Sequence, residues 1–495
     1  MDGQALSWPA QTLGEVLERQ ARERGDAEAL VTANGRFTYE DLLDRAKSVA
    51  GGLQSLGIRR GDHVGILMGN DEKWLSLFYG AALIGAVTVP VNTRFKAAEI
   101  EFCVKQAECK ALFYVPRFLN IDFDSMVRSF PNAHCSPPSG RFTPSFPGES
   151  VGPQEILLIQ FTSGTTAYPK GAMLTHDNML RDAWAAGMRV GIRADDRYFN
   201  CRPFFHVAGS TLSALMSLVA GACLVTLPTF EAGAALEMME RERCTLVSGN
   251  DTLFQMLMGH ADFSRRKLSL RGGWAAAGPQ TMRAIIDRMG AKAICAAYGL
   301  SEASPNVVMS DWRDPEALRV QGLAKPHEGV ELRIVQGEIQ VRGWNVMRGY
   351  INNPEANAKV FTDDGWLRTG DLGELTADGR LRMAGRLKDV FRVGGENVAP
   401  AEVEEVLLAH PAVETAQVVG VPDARLGEVP CAYVTLKGTA TEKELLDWCK
   451  SRCANFRVPR YLKIVDGFES IGMTASGKVQ KARLREHALR EFKLG

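Results

Sequence analysis

Apolar residues recur every three or four positions along 12–24 and 39–56, the period of amphipathic helices. Short apolar runs at 29–32, 37–38, 63–68 and 86–91 read as strands, with Ala33-Asn34-Gly35-Arg36 and Arg60-Gly61-Asp62 as turns. Residues 74–84 are apolar on most sides, so a buried helix is expected there. This βα alternation predicts a largely parallel sheet covered by helices. A Pro, Ser and Gly-rich stretch, 136–152, reads as a loop before the apolar strand 156–161, and the α/β pattern then runs to Tyr298. From Gly322 the texture changes to short strands at 330–335, 338–341 and 381–383, a small β-rich subdomain. After Gly385 comes a charged segment, 386–392. A helix is expected at 401–409, strands at 414–421 and 431–436, a helix at 441–454 and a strand at 461–465. The expected fold class is α/β: a large N-terminal domain, 1–385, of two βα-layered subdomains plus the β-rich one, and an α+β C-terminal domain, 386–495.

The uncharged run 207–228 is long enough to span a bilayer. Gly209, Ser210, Thr211, Ser213, Ser217 and Gly221 interrupt it, so it reads as a buried helix to Ala220, a glycine stop and a strand at 223–227. Composition changes little. The chain has 495 residues, and 58 basic and 58 acidic side chains leave a net charge of +0, which gives no reason to expect a nucleic-acid or anionic-membrane partner. Ten cysteines lack metal-site spacing, and even Cys449 and Cys453 have no partner ligands nearby in sequence. They read as reduced, mostly buried thiols of a cytoplasmic protein, and the first residues show no signal-peptide pattern.

The most informative segment is Thr162-Ser163-Gly164-Thr165-Thr166-Ala167-Tyr168-Pro169-Lys170-Gly171, after the strand 156–161. Small hydroxyl residues and glycines let N–H and O–H groups point at anionic oxygens, and a lysine adds a mobile cation. The combination favours polyphosphate. It is not a Walker A loop, because five residues separate Gly164 from Lys170 and Pro169 precedes the lysine. Five further segments follow: Tyr298-Gly299-Leu300-Ser301-Glu302, Trp366-Leu367-Arg368-Thr369-Gly370-Asp371, Gly385-Arg386-Leu387-Lys388-Asp389, 394–404, and Thr474-Ala475-Ser476-Gly477-Lys478-Val479-Gln480-Lys481. Singly, each has a plain structural explanation: Glu302 as an acid at a helix N-terminus, Asp371 in a turn, Lys478 as a solvated cation.

Together, and in this order, the six segments resemble the adenylate-forming superfamily of acyl-CoA synthetases, peptide-synthetase adenylation domains and beetle-luciferase-like enzymes. Ala167 stands where that family usually has glycine, Ser301 where it has threonine, and Gly472-Met473 where it has Pro-Lys. The resemblance implies that Thr162, Ser163, Gly164, Thr165, Thr166 and Lys170 hold the ATP phosphates. Tyr298 would pack near adenine, Gly299 and Ser301 would belong to the same ATP site, and Thr166 and Glu302 would hold Mg²⁺. Asp371 would accept the ribose hydroxyls, and Arg386 would approach ribose and phosphate. Lys388 is implied to be the hinge of a mobile C-terminal domain. Gly394 and Gly395 are implied to pass the pantetheine arm of coenzyme A, and Lys478 to bridge the acid carboxylate and the α-phosphate.

Pro203-Phe204-Phe205-His206-Val207-Ala208-Gly209 resembles the family's P-x-F-H-x-x-G, which puts Phe205 and His206 between acid pocket and coenzyme A channel; a core histidine is the plainer alternative. No Asp stands there to pair with an α-amino group, which argues against an amino acid substrate. Asn250, Asp251 and Trp274 are candidates for shaping the acid site, with Asp251 preferred as the N-cap of a helix at 253–258. No arginine pair for a second carboxylate is evident, so a hydrophobic monocarboxylic acid is expected: medium-chain, alicyclic or aromatic. The expected activity is ATP-dependent acid–coenzyme A ligation through an acyl-adenylate, with small-molecule partners. Whether the enzyme is a homodimer stays open. Loading of a carrier-protein phosphopantetheine, or non-catalytic nucleotide or acid binding, are the alternatives.

Overall fold

The computed structural model describes residues 8–128, 130, 132–142, 150–162, 169–473 and 479–494. The chain forms two compact units, Met1–Glu331 with Val341–Leu367, and Leu332–Gln340 with Arg368–Gly495.

Local sequence sets the helix starts of the first unit. Thr12 and Glu15 form a capping box on the helix Leu13–Arg24, as do Thr38 and Asp41 on Tyr39–Ser55. Thr175 caps His176–Val190, which ends at Gly191 in the left-handed conformation. The run 207–228 folds as expected: helical turns Val207–Gly209 and Met216–Ala220 flank a π-helical segment, Ser210–Leu215, and Gly221 (φ 71°) stops the helix before the strand Cys223–Thr226. The π segment was not foreseen. Ser213 Oγ donates to the Ala208 carbonyl five residues back at 3.1 Å, a hydroxyl bond suited to the wider turn. Among the described residues no helix is long and apolar enough to cross a membrane.

Two sheets organise this unit. One has six strands in the order Lys170–Thr175, Ile156–Thr162, Val87–Pro90, His63–Leu67, Ala111–Tyr114, Ala133–His134. The other has nine: Lys325–Pro326, Asn306–Met309, Ala293–Gly299, Gly272–Ala276, Leu246–Asn250, Arg197–Asn200, Cys223–Thr226, Glu28–Val31, Arg36–Thr38. Its central strands are parallel, and a core containing Phe199, Val247, Phe254, Ile285 and Ile294 covers one face.

A four-stranded sheet runs Val330–Val335, Glu338–Gly343, Leu367–Leu375, Leu381–Arg386, and the unit boundaries fall within its strands. The strand Leu367–Leu375 was not among the expected strands and runs through Thr369-Gly370-Asp371, residues that taken alone would suit a turn. Cross-strand pairing of Asp371 with Arg386 and a bond from Thr369 Oγ1 to the Ile339 carbonyl (2.7 Å) extend it through residues with weak strand preference. The rest of the second unit is α+β. The hairpin Phe391–Val393 and Glu396–Val398, the long pair Val413–Asp423 and Gly427–Leu436, and Tyr461–Ile464 form one sheet. Its core includes Val403, Val418, Tyr433, Leu445 and Leu484.

Candidate active site

The nine-stranded sheet fixes where a ligand can sit. From Arg197–Asn200 the chain goes one way to Cys223–Thr226, then returns to the other side of Arg197–Asn200 with Leu246–Asn250, Gly272–Ala276 and Ala293–Gly299. That reversal is a topological switch point, and open parallel sheets bind ligands outside the carboxyl ends of such strands. Several residues singled out from sequence lie along these strands and the turns that follow them. Phe205 and His206 follow Arg197–Asn200, Asn250 ends the next strand, and Trp274 lies in the third. Tyr298 and Gly299 end the fourth, and Ser301 and Glu302 follow it.

The turn carrying Phe205 and His206 is held tightly. Asn70 Nδ2 donates to the Arg202 carbonyl at 2.8 Å, and Phe204 N–H donates to Asn70 Oδ1 at 2.7 Å. Gln160 Nε2 donates to the Phe205 carbonyl at 3.0 Å, which ties this turn to the strand ending at Thr162. His206 Nδ1 accepts the Ala208 N–H at 3.1 Å and so caps the following helical turn. The cap before the helix Asp251–Gly259 differs from the expectation. Asn250 Oδ1 takes the Leu253 N–H at 3.0 Å, while Asp251 is the first helical residue. The Asp251 carboxylate instead accepts the Gly278 N–H at 3.1 and 3.2 Å, pinning the turn after the strand of Trp274.

On the nucleotide side, Thr162 and Lys170 are register partners at the base of the loop. Lys170 Nζ lies 5.2 Å from the centre of the Tyr350 ring, and Tyr350 Oη donates to Glu302 Oε1 at 2.8 Å. Burial and the Glu302 carboxylate hold the Tyr350 phenol above its ordinary pKa, so it remains a donor. Tyr350 was not among the sequence candidates. Its signal is faint: one aromatic after Gly349, before the proline-started helix Pro354–Val360. Ser163, Gly164, Thr165, Thr166 and Lys478 lie outside the described residues. At Gly299 a Cβ would stand 1.8 Å from the Pro305 carbonyl oxygen, so only glycine fits beside Tyr298. Asn306 Nδ2 donates to the Tyr298 carbonyl at 3.4 Å, and Asn306 is itself held by Asp182 (2.8 Å) and His327 (2.6 Å).

The donor set fits Mg²⁺. Glu302 offers hard carboxylate oxygen, and among the described residues no group of three or more His, Cys, Asp or Glu could cage a metal. Mg²⁺ keeps waters and substrate phosphate oxygens and needs only one or two protein ligands.

In the second unit, Arg386 Nε pairs with the buried Asp371 Oδ1 at 3.0 Å. Asp371 N–H donates to Thr369 Oγ1 at 3.1 Å, which fixes the carboxylate-bearing backbone. Lys388 is exposed in the short turn Leu387–Asp389. Gly394 (φ 59°) and Gly395 (φ 97°) form a two-residue hairpin loop between Val393 and Glu396, where positive φ at both positions calls for glycine. Lys481, the last residue of its motif, bonds Glu404 and the Val418 carbonyl (2.8 Å).

The family model for AMP-binding enzymes matches residues 17–351, and that for the AMP-binding enzyme C-terminal domain matches residues 402–478. A 7a-methyl-1,5-dioxo-octahydro-1H-inden-4-yl propanoyl:CoA ligase of Rhodococcus jostii is 35% identical, over 96% of this chain and 98% of its own length. A mitochondrial medium-chain acyl-CoA ligase of Mus musculus is 32% identical, over 98% of this chain and 88% of its own. The crystal structure of an anthranilate CoA ligase in complex with anthranoyl-AMP aligns with a TM-score of 0.87 at 26% identity, covering 99% of this chain and 100% of that one.

Proposed function

The chain belongs to the AMP-binding enzyme family and is an AMP-forming acid–CoA ligase, and on that premise we propose which residues carry each step and which acid it takes. The observation that carries the assignment is the Lys170–Tyr350–Glu302 contact, which sets the base of the phosphate loop beside the motif carboxylate. The loop 162–166 and Lys170 position the triphosphate, Tyr298 and Gly299 take adenine, and Asp371 with Arg386 takes the ribose. An acid carboxylate then attacks the α-phosphorus and pyrophosphate leaves. Lys478 offsets the repulsion between the two anions and the charge that builds on the phosphate oxygens. Thr166 and Glu302 would hold Mg²⁺, which when bound neutralises phosphate charge.

The coenzyme A thiol next attacks the adenylate carbonyl, and AMP leaves. A free thiol with a pKa near about 8.5 supplies enough thiolate that no dedicated base is required. The two steps need different groups at one carbonyl: Lys478 first, the Gly394–Gly395 hairpin second. Both lie beyond Lys388, so turning the segment from Arg386 onward about that residue exchanges them. The substrate is a hydrophobic monocarboxylic acid, medium-chain, alicyclic or aromatic. The ligases of medium-chain, dioxo-octahydroindenyl and anthranilate acids named above support this. Ten free cysteines, seven of them buried, support a reducing compartment such as the cytoplasm.

The test is a panel of fatty, cyclohexane-type, benzoic and cinnamic acids, scored for AMP and for thioester with free coenzyme A. Acid-dependent AMP and thioester are expected. AMP without any thioester would instead favour a carrier protein as acceptor.

A further inference from the structure

Arg202 lies two residues past the strand Arg197–Asn200, on the switch-point edge, and is 7% exposed. Its backbone is fixed: the N–H donates to Asn200 Oδ1 at 3.0 Å, and the carbonyl accepts Asn70 Nδ2 and Asn200 Nδ2, both at 2.8 Å. Its guanidinium is not. Nε has no hydrogen-bond partner, and no carboxylate lies within ion-pair distance among the described residues. Burial lowers its pKa, and the groups opposing that are Cys201 and Tyr198, whose own protons are held up to about 12. Both neighbours are therefore neutral near pH 7 and supply no counter-charge.

Two further buried side chains stand next to it, Trp274 and Ser248, and both lie within hydrogen-bond reach of the Tyr198 hydroxyl. The guanidinium carbon lies 5.7 Å from the centre of the Trp274 ring. Ser248 is the register partner of Trp274 and is fully buried. The Cys201 Sγ contact to the Ser248 carbonyl, 2.6 Å, binds the strand of Ser248 to the segment of Arg202. Buried polar groups in native proteins are nearly always paired. A buried guanidinium left without acceptor or counter-charge at the ligand edge of a sheet indicates a group supplied from outside.

We propose that Arg202, lying beside the Trp274 ring, recognises a hydrogen-bond-accepting oxygen on the body of the acid substrate, remote from the carboxylate that is activated. The acid is then an oxygenated one, its hydrocarbon part lying against the Trp274 indole and its second oxygen answering the guanidinium. This deepens the ligase assignment and rests on it. A site built to bond an oxygen rejects the analogue that lacks it far more strongly than an apolar pocket rejects an extra methylene, because its buried donors are then left unpaired.

The experiment compares kcat/KM for octanoate, 7-oxooctanoate and octanedioate, measured by acid-dependent pyrophosphate release, in the wild-type protein and in Arg202→Met. The wild type is expected to prefer an oxygenated acid over octanoate by about tenfold or more, and Arg202→Met to bring that ratio near one. The keto and dicarboxylate arms show whether a neutral or an anionic oxygen is read. Octanoate turned over as well as both others by the wild type would overturn the proposal and leave the ligase assignment standing. The wild-type ratio decides this even where the variant does not fold. Pyrophosphate release with none of the acids would remove both.

Discussion

Tyr350 donates its phenolic proton to Glu302 Oε1 across 2.8 Å, while the Lys170 ammonium sits 5.2 Å from the centre of the same ring. The phenol fixes one carboxylate oxygen and leaves the other to an incoming cation. Hydrogen bonds to charged groups contribute about 1.5–3 kcal/mol. Tyr350→Phe should therefore lower acid-dependent ATP–pyrophosphate exchange by about 10–100-fold at limiting Mg²⁺, with part of the loss recovered as Mg²⁺ is raised. A Mg²⁺ titration of exchange in both proteins checks this. An unchanged midpoint would show that Tyr350 does not orient Glu302.

Asp371 is buried and paired with Arg386 at 3.0 Å. The two oxygens of a carboxylate suit two ribose hydroxyls. Asp371→Asn should raise KM for ATP by about 10–100-fold, the loss of charge-assisted bonds. It should also narrow the preference for ATP over 2′-deoxy-ATP. Steady-state kinetics with both nucleotides measure it, and an unaltered preference would remove Asp371 from the ribose site.

Gly209 follows the Phe205–His206 turn, and a Cβ there would lie 2.1 Å from the Pro203 carbonyl oxygen. Backbone must move to admit it. Gly209→Ala should cost about 1–3 kcal/mol by overpacking and raise KM for the acid more than KM for ATP. Thermal unfolding and the two KM values check both effects.

Much of this architecture could be read from the residues, and the failures have physical reasons. The run 207–228 was legible because Gly221 permits the left-handed stop and the polar residues forbid a lipid-facing span. The strand through Asp371 was not, because Thr, Gly and Asp in succession look like a turn, and only pairing with Arg386 extends them. The cap at Asn250 was misplaced by one residue because Asn and Asp are equally good caps. What decided it was Gly278, whose N–H claims Asp251 from 27 positions away. Tyr350 could not be found locally at all, since its partner Glu302 lies 48 residues back. Local propensity shows in a sequence, whereas such long-range pairings are created by the fold.

His176 is fully buried, and its Nδ1 accepts the Leu13 N–H at 3.0 Å, which holds the ring neutral. Burial lowers its pKa to about 4, with Glu155 opposing. In the unfolded chain the imidazole titrates near about 6.5, so between these values the unfolded state binds the extra proton. Stability is complete above that window and is lost as pH falls through it, by about 3 kcal/mol at pH 4. Urea unfolding from pH 7 to 4 should show a shallower decline in His176→Gln than in the wild type. Equal slopes would refute the assignment.

We propose that Lys478, near the end of the chain, serves adenylation alone. The direct measurement takes Lys478→Ala and follows each half-reaction: ATP–pyrophosphate exchange with the acid, and thioester formation from a supplied acyl-adenylate and coenzyme A. Exchange should fall by at least about 100-fold, the scale of one lost transition-state electrostatic contact, while the thioester step keeps most of its rate. Equal loss of both, or loss of neither, would contradict the account.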